Sequence, residues 1–160
     1  MISGKVLTFE DVKQLDYANV LYQNKNLLKE EEATACLQKV FGKDMLLPQP
    51  TSLLVKQALA FIQQNYWNQI SRQDIAAAVN ANPSYLSRIF SQEVGIKMWD
   101  FLMRFRIQVA QEMLLNYSKA KSITEIAMQV GYNDPAYFSK VFKTYTGVSP
   151  KLFRQLNGAV

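Results

Sequence analysis

Residues 122–147 read SITEIAMQVGYNDPAYFSKVFKTYTG, and residues 71–95 read SRQDIAAAVNANPSYLSRIFSQEVG. Laid over each other, the two stretches are copies of one unit. Ser71, Ile75, Ala76 and Val79 recur as Ser122, Ile126, Ala127 and Val130, at an offset of 51. One extra residue in the turn raises the offset to 52, after which Pro83, Tyr85, Ser87, Phe90 and Gly95 recur as Pro135, Tyr137, Ser139, Phe142 and Gly147. Leu86 pairs with Phe138, Ile89 with Val141, and Arg88 with Lys140. Apolar positions, turn residues and a basic position repeat together, which composition bias does not produce.

Each copy has the sequence logic of a helix-turn-helix. A short helix, Ser71–Val79 or Ser122–Val130, carries a small residue, Ala76 or Ala127, that lets a second helix approach closely. Ser71 followed by Asp74 is close to a capping box. The turn spans Asn80–Asn82 or Gly131–Asp134, where Gly131 suits a left-handed helix end and Asn80 tolerates the same conformation. The second helix starts at Pro83 or Pro135. Its inward face holds Leu86, Ile89 and Phe90, matched by Phe138, Val141 and Phe142. Its outward face holds Ser84, Ser87, Arg88, Ser91 and Gln92, matched by Ala136, Ser139, Lys140, Lys143 and Thr144. Short hydrogen-bonding side chains around a long cation are what a helix in the major groove can use. Arginine can pair with guanine, while serine and threonine serve bases or phosphates.

Between the copies, a helix from about Met98 to Asn116 carries Phe101, Leu102, Phe105, Val109, Met113 and Leu114 at helical spacing. Its roughly 19 residues span about 28 Å, against about 34 Å between successive major grooves. Upstream, Ser52 or Thr51 can cap a helix carrying Leu54, Val55, Ala58, Phe61 and Ile62. Downstream, Ser149 and Pro150 open a final helix. Pro48-Gln49-Pro50-Thr51 reads as a linker. The first 50 residues form an N-terminal extension, with a short strand or turn region over Val6–Tyr22 and a helix over Leu28–Phe41. Val20, Leu21, Leu27, Leu28, Leu37, Val40 and Phe41 in this extension fit packing against the first helix of the C-terminal unit, or a dimerisation element. Cys36 reads as a small core residue rather than a redox sensor.

Composition narrows the function classes. Without histidine, histidine-based triads, general bases and metal sites are excluded, and the single cysteine rules out an internal disulfide. No glycine-rich phosphate loop or metal-ligand cluster occurs, so neither an enzyme nor a bound cofactor is expected. No run is apolar enough to cross a membrane and Met1–Lys5 lacks signal-peptide character, so a cytoplasmic protein is expected. Residues 1–70 hold seven lysines against seven acidic residues; residues 71–160 hold eleven Lys or Arg against six, the whole net charge of +5. The basic part coincides with the repeat, as a polyanionic partner would require.

Residues Ser52–Leu156 resemble the AraC/XylS family of transcription regulators. The resemblance is densest in Ile126-Ala127, Val130-Gly131-Tyr132, Asp134-Pro135-Ala136-Tyr137-Phe138-Ser139 and Phe142-Lys143, and continues through Gly147, Ser149-Pro150 and Phe153-Arg154. In the connector it includes Arg106-Ile107, Ala110 and Met113-Leu114, with Met at one customary Leu. The resemblance implies an all-α, seven-helix DNA-binding domain over residues 51–160, with two helix-turn-helix subdomains joined by the long connector. It also implies that the third and sixth helices read DNA, which places Ser84, Ser87, Arg88 and Gln92 in one groove and Ala136, Ser139, Lys140 and Lys143 in the next. Arg88 is the main base-reading candidate; Lys140 and Lys143 fit base reading or phosphate contact equally. Ala136 departs from the larger polar residues of some members and offers a contact only to a thymine methyl. Arg106 fits a structural pairing or a DNA contact. The implied partners are double-stranded DNA and RNA polymerase, with residues 1–50 as the tail of an upstream sensor or receiver domain. The alternative is a protein-binding adaptor using Tyr85, Trp99 and Tyr137, although their repeat positions favour packing roles.

Overall fold

The computed structural model describes residues 31, 33–42, 51–116 and 121–157, and all regular structure among them is helical. The Val6–Tyr22 region, the start of the Leu28–Phe41 helix and the prolines of the linker lie outside the described residues. Residues 33–41 form α1. Seven helices follow: α2 (Leu53–Asn65), α3 (Arg72–Ala78), α4 (Pro83–Val94), α5 (Met98–Asn116), α6 (Ile123–Gln129), α7 (Pro135–Thr146) and α8 (Pro150–Asn157). They divide as α2, α3 and α4 packed on one another and α7 packed on both α6 and α8, with α5 touching α4, α6, α7 and α8.

Each helix start has a local cause. The Ser52 hydroxyl caps α2, accepting from the Val55 amide, and the Glu93 carboxylate at the end of α4 accepts from both the Ser52 amide and hydroxyl. This negative charge sits at the positive end of the α2 dipole. The capping box expected at Ser71 and Asp74 forms, and its counterpart joins Ser122 to Glu125. Asn82 and Asp134 cap α4 and α7, each accepting from two amides, and Pro83 and Pro135 fill the first helical positions where an amide would lack a partner.

The two capping carboxylates make stability depend on acid. Ser71 holds Asp74 below its ordinary value through its hydroxyl and then its amide, and Ser122 does so for Glu125 through its amide and then its hydroxyl. A depressed carboxylate stabilises the fold fully above its unfolded value, about pH 4. That contribution is lost as pH falls through the native value. The melting temperature of Asp74→Asn/Glu125→Gln is therefore expected to lie below that of the parent near neutrality and to approach it as the solution is acidified. A gap of constant size down to acid unfolding would show that the carboxylate charges do not contribute.

The repeat extends further than residues 71–95 and 122–147. Phe90 meets Phe101 edge-on at 5.6 Å, and Phe142 meets Phe153 edge-on at 5.5 Å. Phe101 and Phe153 are again 52 residues apart, so the start of α5 plays toward the first subdomain the part that α8 plays toward the second. Phe90, Phe101 and Phe142 are fully buried and Phe153 partly so, and such aromatic contacts add about 0.5–1.5 kcal/mol beyond burial.

The connector is more than a spacer. Residues of α5 buried on nearly every side include Met98, Phe101, Met103, Phe105, Arg106, Ile107, Val109, Ala110 and Leu114, whereas Met113 is only partly buried. A two-sided load explains why the expected single stripe is too narrow: α5 is the shared core of both subdomains. It also carries α1. Phe41 packs on Phe101 and Lys39 pairs with Glu112, while Ala33, Cys36 and Leu37 are fully buried in the same core. α1 is thus joined to the connector at Phe41 and Lys39. Burial pushes the Cys36 thiol well above its ordinary value, which leaves it a packing group.

Candidate nucleic-acid interface

The turn of each helix-turn-helix is built by the same backbone bonds. Ala81 donates to the Ala76 carbonyl and Asn80 to Ala77; in the second copy Tyr132 donates to Ala127 and Gly131 to Met128. These are Schellman endings, which require a left-handed residue, and Asn80 (φ 54°) and Gly131 (φ 91°) supply it. The copies differ in residue type because their surroundings differ. A Cβ on Gly131 would lie 2.8 Å from the Tyr66 carbonyl oxygen and 3.0 Å from the Arg106 guanidinium carbon.

That crowding marks a junction between the subdomains. Arg106, only 4% exposed, donates from Nε to the Tyr66 carbonyl at 2.7 Å and from an Nη to the Asn68 carbonyl at 2.8 Å. Its guanidinium also lies 5.6 Å from the Tyr132 ring centroid. Gln69 completes the link, donating to the Gly131 carbonyl at 2.7 Å. The loop before α3 is thereby fastened to the turn after α6 through one side chain of α5. Burial lowers the affinity of this guanidinium for its proton, and two carbonyls with a π-face offset the lost water. Of the two readings open for Arg106, the structure selects the structural one. The subdomains are joined by this lateral contact as well as by the connector.

On the outward faces of the second helices, Ser84, Arg88 and Gln92 of α4 are exposed, as are Ala136, Lys140 and Lys143 of α7. Ser87 and Ser139 are half-buried, and their hydroxyls donate back to the Pro83 and Pro135 carbonyls at 2.7 and 2.9 Å. Both hydroxyls can therefore accept from a ligand without disturbing the helix, but donate only by giving up that bond. The Arg88 guanidinium lies 5.3 Å from the centroid of the Tyr85 ring.

Three aromatic residues depart from the packing roles expected of them. Tyr85, Trp99 and Tyr137 are 50%, 50% and 53% exposed. Position in a repeat does not distinguish a buried from a surface residue, because the copies share their outward faces as well as their cores. Sequence reasoning also passed over Arg72 and Lys97, which line one cleft with Ser87, Arg88 and Trp99. Only folding brings them together, from three helices. Among the described residues no cluster of acidic or thiol groups could hold a metal, and no helix is long and apolar enough to cross a membrane.

Comparison with known proteins bears on this geometry directly. A family profile described as a helix-turn-helix domain matches residues 75–156. An uncharacterized HTH-type transcriptional regulator in the cgkA 5' region of Pseudoalteromonas carrageenovora is 34% identical over 102 residues, covering 64% of this chain. The match spans 59% of that relative's own length. The C-terminal domain of AraT, a response regulator from Geobacillus stearothermophilus, is 37% identical with a TM-score of 0.64, over 68% of this chain and 88% of that one. The DNA-binding domain of AdpA, solved in complex with a target DNA, shares the fold at 22% identity, with a TM-score of 0.61 over 66% of this chain and 93% of that one. The repeated turn, the shared aromatic pairs and these matches agree, and the chain belongs to the AraC/XylS family of helix-turn-helix, DNA-binding transcription regulators.

Proposed function

We propose that this chain binds specific double-stranded DNA by inserting α4 and α7 into successive major grooves, with residues 51–160 as the binding domain. One observation carries the reading: two copies of one helix-turn-helix expose a cation at the same position, Arg88 and Lys140, and the copies are locked together at Arg106. Arg88 is assigned to base reading, with Ser84, Ser87 and Gln92 beside it. Ala136, Ser139, Lys140 and Lys143 form the second contact surface, where the exposed lysines supply phosphate attraction and Ala136 limits direct readout. RNA polymerase is the partner through which a bound regulator acts. An upstream receiver or sensor is the source of its signal, a role supported by the similarity to a response-regulator domain and by the packing of α1 on α5. The site of action is the cytoplasm, where the DNA lies.

Selecting sites from a pool of random duplexes tests the activity and yields the sequence read. Enrichment of sites with two contacted grooves is expected, and no enrichment at moderate salt would favour the protein-adaptor reading instead. On the selected site, Arg88→Ala is expected to weaken binding by about 1–3 kcal/mol and to relax preference in one groove. Equal losses on selected and random DNA would reduce Arg88 to a phosphate contact.

A further inference from the structure

A cleft of about 390 Å³ opens between α3, α4 and the start of α5, within the size range of small-molecule sites, roughly 300–1,000 Å³. Its lining joins two kinds of chemistry. Ile75 and Met98 are buried apolar groups, and Trp99 adds a half-exposed indole. Around them stand Arg72, Arg88 and Lys97, all exposed, with no carboxylate in the lining. Among the described residues, neither Arg72 nor Lys97 has an acidic partner. Three cations without a counter-charge around a concave apolar surface focus positive potential there.

We propose that this cleft is a binding site for a small amphipathic anion, an aromatic or aliphatic carboxylate or sulfonate, whose occupancy excludes DNA from α4. The anionic head is held by Arg72 and Lys97, and the apolar body lies against Ile75, Met98 and Trp99. A nucleic-acid phosphate would use the cations but has no apolar body for the rest of the lining. Ser87 and Arg88 also line the cleft, so ligand and duplex compete for the same side chains. The exclusion rests on the placement of those two residues at the groove; anion binding itself does not. The combination belongs to the first copy. Ile123, Ser149 and Lys151 stand in the second where Arg72, Lys97 and Trp99 stand in the first.

The two tryptophans of the chain are Trp67 and Trp99, so Trp67→Phe leaves the cleft indole as the only one. In that background the probe is 8-anilinonaphthalene-1-sulfonate, with uncharged N-phenyl-1-naphthylamine as its comparison. Saturable binding of one sulfonate per chain, with energy transfer from Trp99, is expected. The uncharged probe is expected to bind about tenfold more weakly, and Arg72→Met and Lys97→Met each to weaken the sulfonate about tenfold. Both sites are exposed, and unchanged thermal melting confirms that the variants are folded. A selected duplex should displace the probe, whereas inorganic phosphate at equal concentration should not. A titration without saturation, equal binding of both probes, or indifference to the two substitutions would overturn the site. Displacement by phosphate as effective as by the duplex would reduce it to a phosphate contact, and a ternary complex of duplex and probe would overturn the exclusion. Duplex binding is measured first without probe. Its failure would count against the DNA reading, and the probe titration would still judge the cleft.

Discussion

Arg106→Met is expected to destabilise the protein by about 3 kcal/mol and to lower its melting temperature by about 10 °C. The guanidinium gives two hydrogen bonds, to the Tyr66 and Asn68 carbonyls, and charge-assisted bonds contribute about 1.5–3 kcal/mol each. Methionine fills much of the volume and removes the cost of burying a charge, so the net loss is smaller than the sum of the bonds. Arg106→Lys keeps the charge but has a single donor group, and cannot span two carbonyls as a planar fork does. Its loss should fall between those of methionine and the parent. Denaturant unfolding measures both, and a change under about 1 kcal/mol for methionine would show that water serves the carbonyls as well. DNA binding should register the same change. If Arg106 sets the relation of α4 to α7, its removal weakens binding to a duplex with both contacted grooves more than to one cut down to a single groove.

Gly131→Ala is expected to cost about 2–4 kcal/mol, well above the same change at Gly95 or Gly147. All three glycines have φ between 83° and 91°, so an alanine at each incurs a similar backbone strain. That strain is about 1–2 kcal/mol. They differ in what the new methyl meets. At Gly95 and Gly147 it meets nothing within 4 Å, whereas at Gly131 it meets the Tyr66 carbonyl at 2.8 Å and the buried guanidinium at 3.0 Å. Backbone and a doubly bonded arginine cannot move aside cheaply. Equal losses at the three positions would mean that the junction relaxes freely. The prediction also separates local from long-range effects, since Arg106→Met beforehand should reduce the added cost of Gly131→Ala.

Much of this architecture is legible one residue at a time. The caps at Ser52, Ser71, Ser122 and Ser149 follow from side chains that bond amides three residues away. The bounds of the connector, Met98–Asn116, agree with the spacing of its apolar residues. The exposed cations at Arg88 and Lys140 follow from helical periodicity alone. The partners of Arg106, some 40 residues back along the chain, do not, and neither does the packing of Phe41 in α1 on Phe101 in α5. Nor does the sequence show that the Ser87 and Ser139 hydroxyls are already engaged. A serine on a helix can donate to its own backbone or to solvent, and only the rotamer decides.

The chain's own order of residues determined the repeat, the helix bounds, the outward cations and the family, because each depends on bonds and periodicities within a few residues of one another. Tertiary structure alone decided the locked junction at Arg106 and Gly131, the two-sided burial of α5 and the cationic cleft beside α4. These join side chains from separate helices, and their distances depend on how whole faces pack, which no local pattern encodes.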